Sequence, residues 1–336
     1  MRLDRRYLYP LLLIVVLTPV YFVLGDYYRH IFILVYIWAF LAMGWNIIGG
    51  YGGQHSLGHG LYMGIGAYAT AYLFSTFGLS PWIGMIAAVI MATAVAWFIG
   101  WIVFHYQLRG AYFALVTIAL TEVAVYVASN IPAINGAQGI QLKVKMGWQW
   151  MQPTNAYLWF YVAGVLMIVA GLLVTQYYSR QRFFYYLEAV RENEEAAEAL
   201  GVNTVREKVK ANMFSAAWCA IGGVLYLQYF LYVAPRSVFG ELISVQILLY
   251  AIVGGTGTVW GPVVGAAILV PLTEITRSQL GATFSGASLL IYGIAMVLAM
   301  LFMPFGVVGL LSRSFSRFRD NVAARDEVAP VAGEDS

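Results

Sequence analysis

From His30 to Leu108 the chain contains no Asp, Glu, Lys or Arg, a run of 79 residues. A helix of about 20 residues crosses a hydrocarbon core of roughly 30 Å, so the run has room for three spans and must be divided internally. The rest of the chain agrees. Hydrophobic residues make up 61% of it and charged residues only 10%, well outside the range of soluble domains and with no room for a separate soluble one. The expectation is an all-α polytopic membrane protein.

Apolar windows bounded by polar or Gly/Pro punctuation give about ten transmembrane or re-entrant helices, near 7–24, 31–49, 56–78, 82–104, 110–130, 157–178, 211–233, 242–256, 262–279 and 287–311. The first window is longer than a signal-peptide core and is followed by no small-x-small cleavage pattern, so it reads as a retained span. Threading the windows in alternation puts fourteen Lys and Arg on the side of the N-terminus and five on the other. This bias assigns both termini, and the charged stretch 179–210, to the cytoplasm. Trp148, Trp150 and Trp159 bracket the opposite end of the sixth window, as an interfacial belt does. The domain reading is one transmembrane unit, 1–311, containing the cytoplasmic loop 179–210. A basic tail that turns acidic follows over 312–336, suited first to anionic headgroups and then to disorder.

Two Gly-rich stretches read as breaks, Gly49 to Gly60 and Gly254 to Pro262. Irregular backbone at membrane depth is tolerated only where protein or a water-filled cavity satisfies it, so Gln54, His55, Ser56, His59, Gly254, Gly255, Thr256, Gly257 and Thr258 are candidates for a pathway or gate. Each break also opens a small-xxx-small series, Ser56/Gly60/Gly64 and Gly257/Gly261/Gly265, which on one helix face permits close helix packing. His55 and His59, four apart, share a face if helical; they lack a third ligand, and no metal site is expected. Glu122 lies thirteen residues past Arg109, about 20 Å along a helix and deep in the apolar slab, which makes it a functional candidate. Glu274 and Arg277 are spaced to pair with each other. The lone Cys219 among Ala216, Ala217 and Ala220 reads as packing filler.

The stretch 179–210 holds twelve of the thirty-five charged residues. Between Phe183 and Leu200 it reads as one helix with a thin apolar stripe of Leu187, Val190, Ala197 and Leu200. Gly201 is placed as its C′ stop. Thr204 and Glu207 form a capping-box pattern that starts the next span. A stripe so small does not stabilise a helix alone, which points to docking against a partner.

Glu195-Ala-Ala-Glu-Ala-Leu-Gly201 resembles the Glu-Ala-Ala-x-x-x-Gly signature of bacterial ABC-importer permeases, without the usual downstream Ile-x-Leu-Pro. Gly52-Gly-Gln-His-Ser-Leu-Gly-His-Gly-Leu-Tyr-Met-Gly-Ile-Gly-Ala-Tyr68, Leu108-Arg-Gly-Ala-Tyr-Phe-Ala-Leu-Val-Thr117 and Gly254-Gly-Thr-Gly-Thr-Val-Trp-Gly-Pro262 resemble the branched-chain amino acid permease family, in the longer of its two homologous subunits. The resemblance implies a multi-pass protein of the bacterial inner membrane that assembles with a second permease, two ATPase subunits and a periplasmic solute-binding protein. It further implies that Glu194, Glu195, Ala196, Ala197, Glu198, Leu200 and Gly201 couple to the ATPase. The solute is left open among branched-chain amino acids, urea, short amides and aromatic acids. ATP and magnesium belong to the ATPase partners, because this chain has no Gly-x-x-x-x-Gly-Lys-[Ser/Thr] loop; no cofactor, enzymatic activity or nucleic-acid partner is expected of it. Two rivals are an ion-coupled secondary transporter using Glu122 and a membrane-embedded enzyme built on His55, His59 and Glu122.

Overall fold

The computed structural model describes residues 5–280 together with 290, 293, 294, 297 and 306–309. The predicted window 287–311 lies for the most part outside the described residues, and the tail 312–336 lies wholly outside them. Helices occupy every earlier window: α1 (Arg5–Val23), α2 (Asp26–Asn46), α3 (His59–Phe77), α4 (Pro81–His105), α5 (Ala111–Asn130), α6 (Ala156–Tyr178), α9 (Thr204–Phe230), α11 (Glu241–Gly254) and α12 (Gly261–Leu280). Between them lie two short charged helices, α7 (Arg182–Glu192) and α8 (Glu194–Ala199), and a single turn, α10 (Pro235–Val238). Among the described residues six stretches are long and apolar enough to cross a membrane: Asp26–Tyr51, Pro81–His105, Ala111–Asn130, Ala156–Tyr178, Thr204–Phe230 and Pro235–Gly254. The fold is that of a helical, multi-pass membrane protein.

The span Asp26–Tyr51 is the centre of the bundle, with 94% of its apolar window enclosed by protein. It packs against α6, α9, α11 and α12. The spans Pro81–His105 and Ala111–Asn130 are peripheral, only 33% and 28% enclosed. Their open faces carry Ile86, Ile90, Trp97, Phe98, Tyr112, Leu115, Val123 and Tyr126, the arrangement expected where lipid or another membrane subunit supplies the cover.

Small residues set the spacing between spans. Along α4, Gly84, Ala88, Ala92, Ala96 and Gly100 recur every fourth residue and are all buried, and this stripe brings α4 against α9 and α3. Along α9, Asn212, Ser215 and Cys219 follow at helical spacing and donate to backbone carbonyls of two neighbouring helices, α4 and α2. Asn212 Nδ2 donates to the Ala96 carbonyl at 2.8 Å, Ser215 Oγ to the Gly44 carbonyl at 2.7 Å, and Cys219 Sγ to the Leu41 carbonyl at 3.6 Å. Such interhelical bonds contribute on average about 0.6 kcal/mol each in a membrane, so they fix register more than stability. Cys219 is buried packing, as its alanine-rich surroundings suggest.

At the end of the bundle away from α7 and α8, the loop after α5 is tied down. Strand β1 (Ile140–Gln141) pairs antiparallel with β2 (Tyr232–Val233), Ile140 opposite Val233. Trp82 Nε1 donates to the Trp148 carbonyl at 3.0 Å, and the Trp148 and Trp159 rings lie 6.4 Å apart. The tryptophans predicted to form a belt are therefore gathered at one end. Glu274 and Arg277 pair at 3.4 Å.

The glycines of the two small-xxx-small series pack as close contacts, with one change. Ser56 and Gly257 lie outside the helices, so each stripe begins one turn later. A Cβ at Gly60 would lie 2.9 Å from Ser244 Oγ, and one at Gly64 would strike the Phe239 ring. A Cβ at Gly261 would collide with the Gly255 carbonyl, and one at Gly265 with the Tyr250 carbonyl. Gly265→Val should therefore destabilise the α11–α12 pair by about 1–3 kcal/mol through overpacking, read as a lower thermal midpoint of the purified protein. Gly25→Ala, with no atom within 4 Å of the added carbon, should be neutral. Equal midpoints for both variants would contradict the packing assignment.

Candidate functional site: the charged helices and the two glycine-rich turns

The charged stretch forms two helices where its apolar stripe predicts one. Asn193 takes extended backbone angles, φ −158° and ψ 106°, and its side chain accepts from the Ala196 backbone N–H at 3.0 Å. A side-chain amide that caps the following turn competes with helix continuation, so the helix ends at Glu192 and restarts at Glu194. Gly201 has φ +86°. Its N–H bonds to the Glu198 carbonyl at 2.9 Å, and that of Val202 bonds to the Ala197 carbonyl at 3.0 Å, the paired bonds of a Schellman stop that needs a left-handed residue. The next span is capped one residue earlier than its capping-box pattern predicts. Asn203 accepts from the Arg206 N–H at 2.9 Å, while Thr204 Oγ1 donates to Glu198 and Glu207 pairs with Lys210 at 2.6 Å.

Three of the four predicted stripe residues, Leu187, Val190 and Ala197, are buried against the bundle. Leu200 is the exception, 86% exposed, at the C-cap of α8 just past its last helical residue. The outer surface of α8 therefore offers Glu195, Ala196, Glu198, Ala199 and Leu200 to solvent. Its inner surface is held by charge. Glu194 Oε1 accepts from Lys208 Nζ, Glu194 Oε2 lies 3.1 Å from Arg109 Nε, and Glu195 lies 3.8 Å from Arg109 Nη1. Lys208 is only 1% exposed, and its ammonium also lies 5.1 Å from the centre of the Phe104 ring. Burying an ammonium so deeply is costly unless a carboxylate pairs with it, and Glu194 does so.

Both breaks have the irregular backbone expected of them. Helix α2 widens into a π-helical turn over Ile47–Tyr51, and the chain is then non-helical until α3 begins at His59. The second break joins α11 to α12. The two meet through Asn46, whose Oδ1 accepts from the Gly257 N–H at 2.8 Å and whose Nδ2 donates to the Thr258 carbonyl at 2.9 Å. Arg191, the penultimate residue of α7, reaches the same place: its Nη1 donates to the Gly50 carbonyl at 3.0 Å. A C-terminal helix carbonyl lacks an intrahelical partner and carries partial negative charge, so a guanidinium is a favourable cap for it.

The family follows from the whole chain. Residues 27–300 match the family described as branched-chain amino acid transport system, permease component. The chain belongs to this family. It is 29% identical, over 91% of its length and 75% of the relative's, to the high-affinity branched-chain amino acid transport system permease protein LivM of Escherichia coli K12. It is also 21% identical to the LivH permease protein of the same organism, over 81% of this chain and 91% of that one. A probable LivM permease of Methanocaldococcus jannaschii is 24% identical over 74% of this chain and 78% of its own. No solved structure matches. The chain is thus a LivM-like permease component, a transport protein and not an enzyme.

His55 and His59 of this permease both lie near the Trp45 ring, at 6.3 and 6.4 Å, but in different settings. His55 is exposed in the irregular segment, whereas His59 is fully buried at the start of α3. They share no helix face, because the helix starts after His55. The Ser215 hydroxyl donates to Gly44, so it accepts from His59 Nε2 at 2.7 Å. His59 is therefore an interhelical tie. Gln54 donates to the Gly52 carbonyl at 3.2 Å; Ser56 is buried, its hydroxyl accepting from the Gly58 N–H at 3.2 Å and its carbonyl from Trp45 Nε1 at 2.7 Å. In the second break Thr258 Oγ1 donates to the Gly255 carbonyl and accepts from the Gly261 N–H, capping α12, while Gly254 is buried against it and Thr256 is exposed. Glu122 is half-buried on α5 and makes no hydrogen bond or ion pair with any described residue. No group of three or more His, Cys, Asp or Glu among the described residues is placed to hold a metal ion.

Sequence reasoning singled out Glu194 but not its partners Lys208 and Arg109, nor Arg191 and Asn46. Asn46 carried a signal, a lone amide just before the glycine break. Lys208→Met removes the principal partner of a largely enclosed carboxylate and should cost roughly 3 kcal/mol, read as a lowered thermal midpoint. Adding Glu194→Gln to that variant should recover most of the loss, since the remaining Arg109 is partly solvated. A double variant no more stable than the single one would contradict the pairing.

Proposed function

We propose that the chain is one of two homologous membrane subunits of a binding-protein-dependent, ATP-driven importer in a bacterial inner membrane, with about ten spans and both termini in the cytoplasm. Two ATPase subunits act on α8 from the cytoplasm, and a periplasmic solute-binding protein delivers solute at the opposite end. The observation that carries this reading is the construction of α8, with an exposed Glu195–Ala196–Glu198–Ala199–Leu200 surface on one side and the Glu194 ion pairs to the span ends on the other. A six-residue helix has no stability of its own. One fixed to two spans while exposing a leucine is suited to receive force from outside and pass it inward.

Solute moves by a shift between outward- and inward-facing conformers, favoured in turn by ATP binding and hydrolysis on the partner subunits. The relatives named above are branched-chain amino acid permeases, so such amino acids are the first solutes to test, with urea, short amides and aromatic acids after them. Glu122 supports a pathway on the open side of α5. An uncompensated carboxyl is costly in lipid and is found where protein or water reaches it.

The deciding experiment is reconstitution in vesicles with the two ATPases and the second permease. Uptake dependent on ATP and on the binding protein is expected, and proton-driven uptake by this chain alone would contradict the assignment. In that system Gly201→Val puts a β-branched residue at φ +86°, costing about 1–2 kcal/mol locally, and should lower solute-stimulated ATPase activity. Full stimulation would remove the helix stop from the coupling path. Glu122→Gln should alter uptake with assembly intact, and unchanged uptake would reduce Glu122 to a packing residue.

A further inference from the structure

The charged helices touch the two glycine-rich turns through one side chain. Arg191 leaves the end of α7 and crosses beside Gly53. A Cβ at Gly53, where φ is +67°, would lie 2.5 Å from Arg191 Cγ. Its Nη1 then donates to the Gly50 carbonyl at 3.0 Å, while Nη2 pairs with Glu192 at 2.9 Å. On the far side lies Gly257, with φ +71°, where a Cβ would sit 3.0 Å from Arg191 Nη1 and 3.3 Å from the Gly50 oxygen. A Cβ at Gly50 would in turn lie 2.5 Å from the Gly257 nitrogen. The absence of side chains at Gly53 and Gly257 is thus what admits the arginine, and their absence at Gly50 is what lets the Gly257 turn and Asn46 close on the carbonyl it holds.

Asn46 completes the junction by pairing with both the N–H of Gly257 and the carbonyl of Thr258. The end of α2, the α11–α12 turn and α7 are thereby joined at one point, by groups 141 residues apart in the Arg191–Gly50 bond and 211 apart in the Asn46–Gly257 bond. The junction borders α8 directly, because only Glu192 and Asn193 separate Arg191 from Glu194. Displacement of α8 has two routes into the bundle. Glu194 leads to Arg109 and to Lys208 on α9. Arg191 leads to the glycine-rich turns.

We infer that Arg191 is a positioning residue for transport, the pin through which movement of α7 and α8 is passed to both glycine-rich turns and so to the cytoplasmic ends of α2, α3, α11 and α12. The inference rests on the proposed importer function. In it the guanidinium holds the Gly50 carbonyl and the Gly257 turn to α7 so that the three shift as one body. Loss of that hold leaves the ATPases able to close on α8 while the turns stay behind.

The test uses the full importer in vesicles, comparing Arg191→Met, Arg191→Lys and Gly257→Ala with the parental protein. Methionine keeps the stem that packs on Gly53 and removes the donor; lysine keeps a charged donor. Arg191→Met is expected to co-purify with its partners and keep basal ATPase activity, while solute taken up per ATP hydrolysed falls about tenfold, the size of an ordinary coupling energy between sites. Arg191→Lys should recover much of that ratio, and Gly257→Ala, which crowds Nη1 from the other side, should lower it with the sequence of α7 unchanged. Parental coupling in both Arg191→Met and Gly257→Ala would overturn the inference, as would a loss confined to assembly and basal activity that Arg191→Lys does not relieve. Absence of ATP-dependent uptake in the parental vesicles would instead refute the importer function, so the two failures are distinct.

Discussion

The architecture at the charged end depends on the ion pair between Lys208 and Glu194. Lys208 stands in the second turn of α9, almost wholly enclosed, and Glu194 is the first residue of α8, with 11% of its side chain exposed. Breaking such a pair strands a charge in a medium that solvates it poorly, so the two elements separate only at considerable cost. Arg109, from the turn between α4 and α5, adds a second cation to the same carboxylate. One acidic residue thus fixes a short surface helix to α9 and to the α4–α5 turn at once. The outer side of α8 is free to be hydrophilic at Glu195 and Glu198 and apolar at Leu200.

The remaining charged helix is held differently. Helix α7 buries Phe184, Leu187 and Val190, with the Phe184 ring 4.6 Å from that of Tyr51 in an edge contact. Its far end is fastened by Arg191 to a helix terminus. Apolar burial sets where α7 lies, and directed hydrogen bonds set what it touches. The division is useful in a transporter, because non-directional contacts tolerate small shifts while a guanidinium on a carbonyl transmits them.

Much of this was legible in the sequence, and its limits follow from the interactions involved. The spans could be read because each depends on a local property, some 20 apolar residues bounded by punctuation. The stop at Gly201 could be read because a left-handed cap favours glycine for local steric reasons. The split at Asn193 was missed because the apolar stripe continues across it, and the competing side-chain cap leaves no trace in hydrophobic periodicity. The pairing of His55 with His59 failed for a related reason: helical spacing has meaning only if the helix includes both, and α3 begins at His59. Glycine-rich punctuation marked Gly50, Gly53 and Gly257 as part of two breaks. That they surround Arg191 is tertiary, and no local pattern encodes it.

The central claim is that the charged helices and the glycine-rich turns form one mechanical unit. Spin labels at cysteines replacing the exposed Ala199 of α8 and His55 of the first break give the most direct reading, since the native Cys219 is buried. In the importer proposed above, the Ala199–His55 distance should stay constant between nucleotide-free and ATP-bound states, while the distance from His55 to the corresponding helix of the second permease changes. A changing Ala199–His55 distance, with the break static relative to the second permease, would contradict the account.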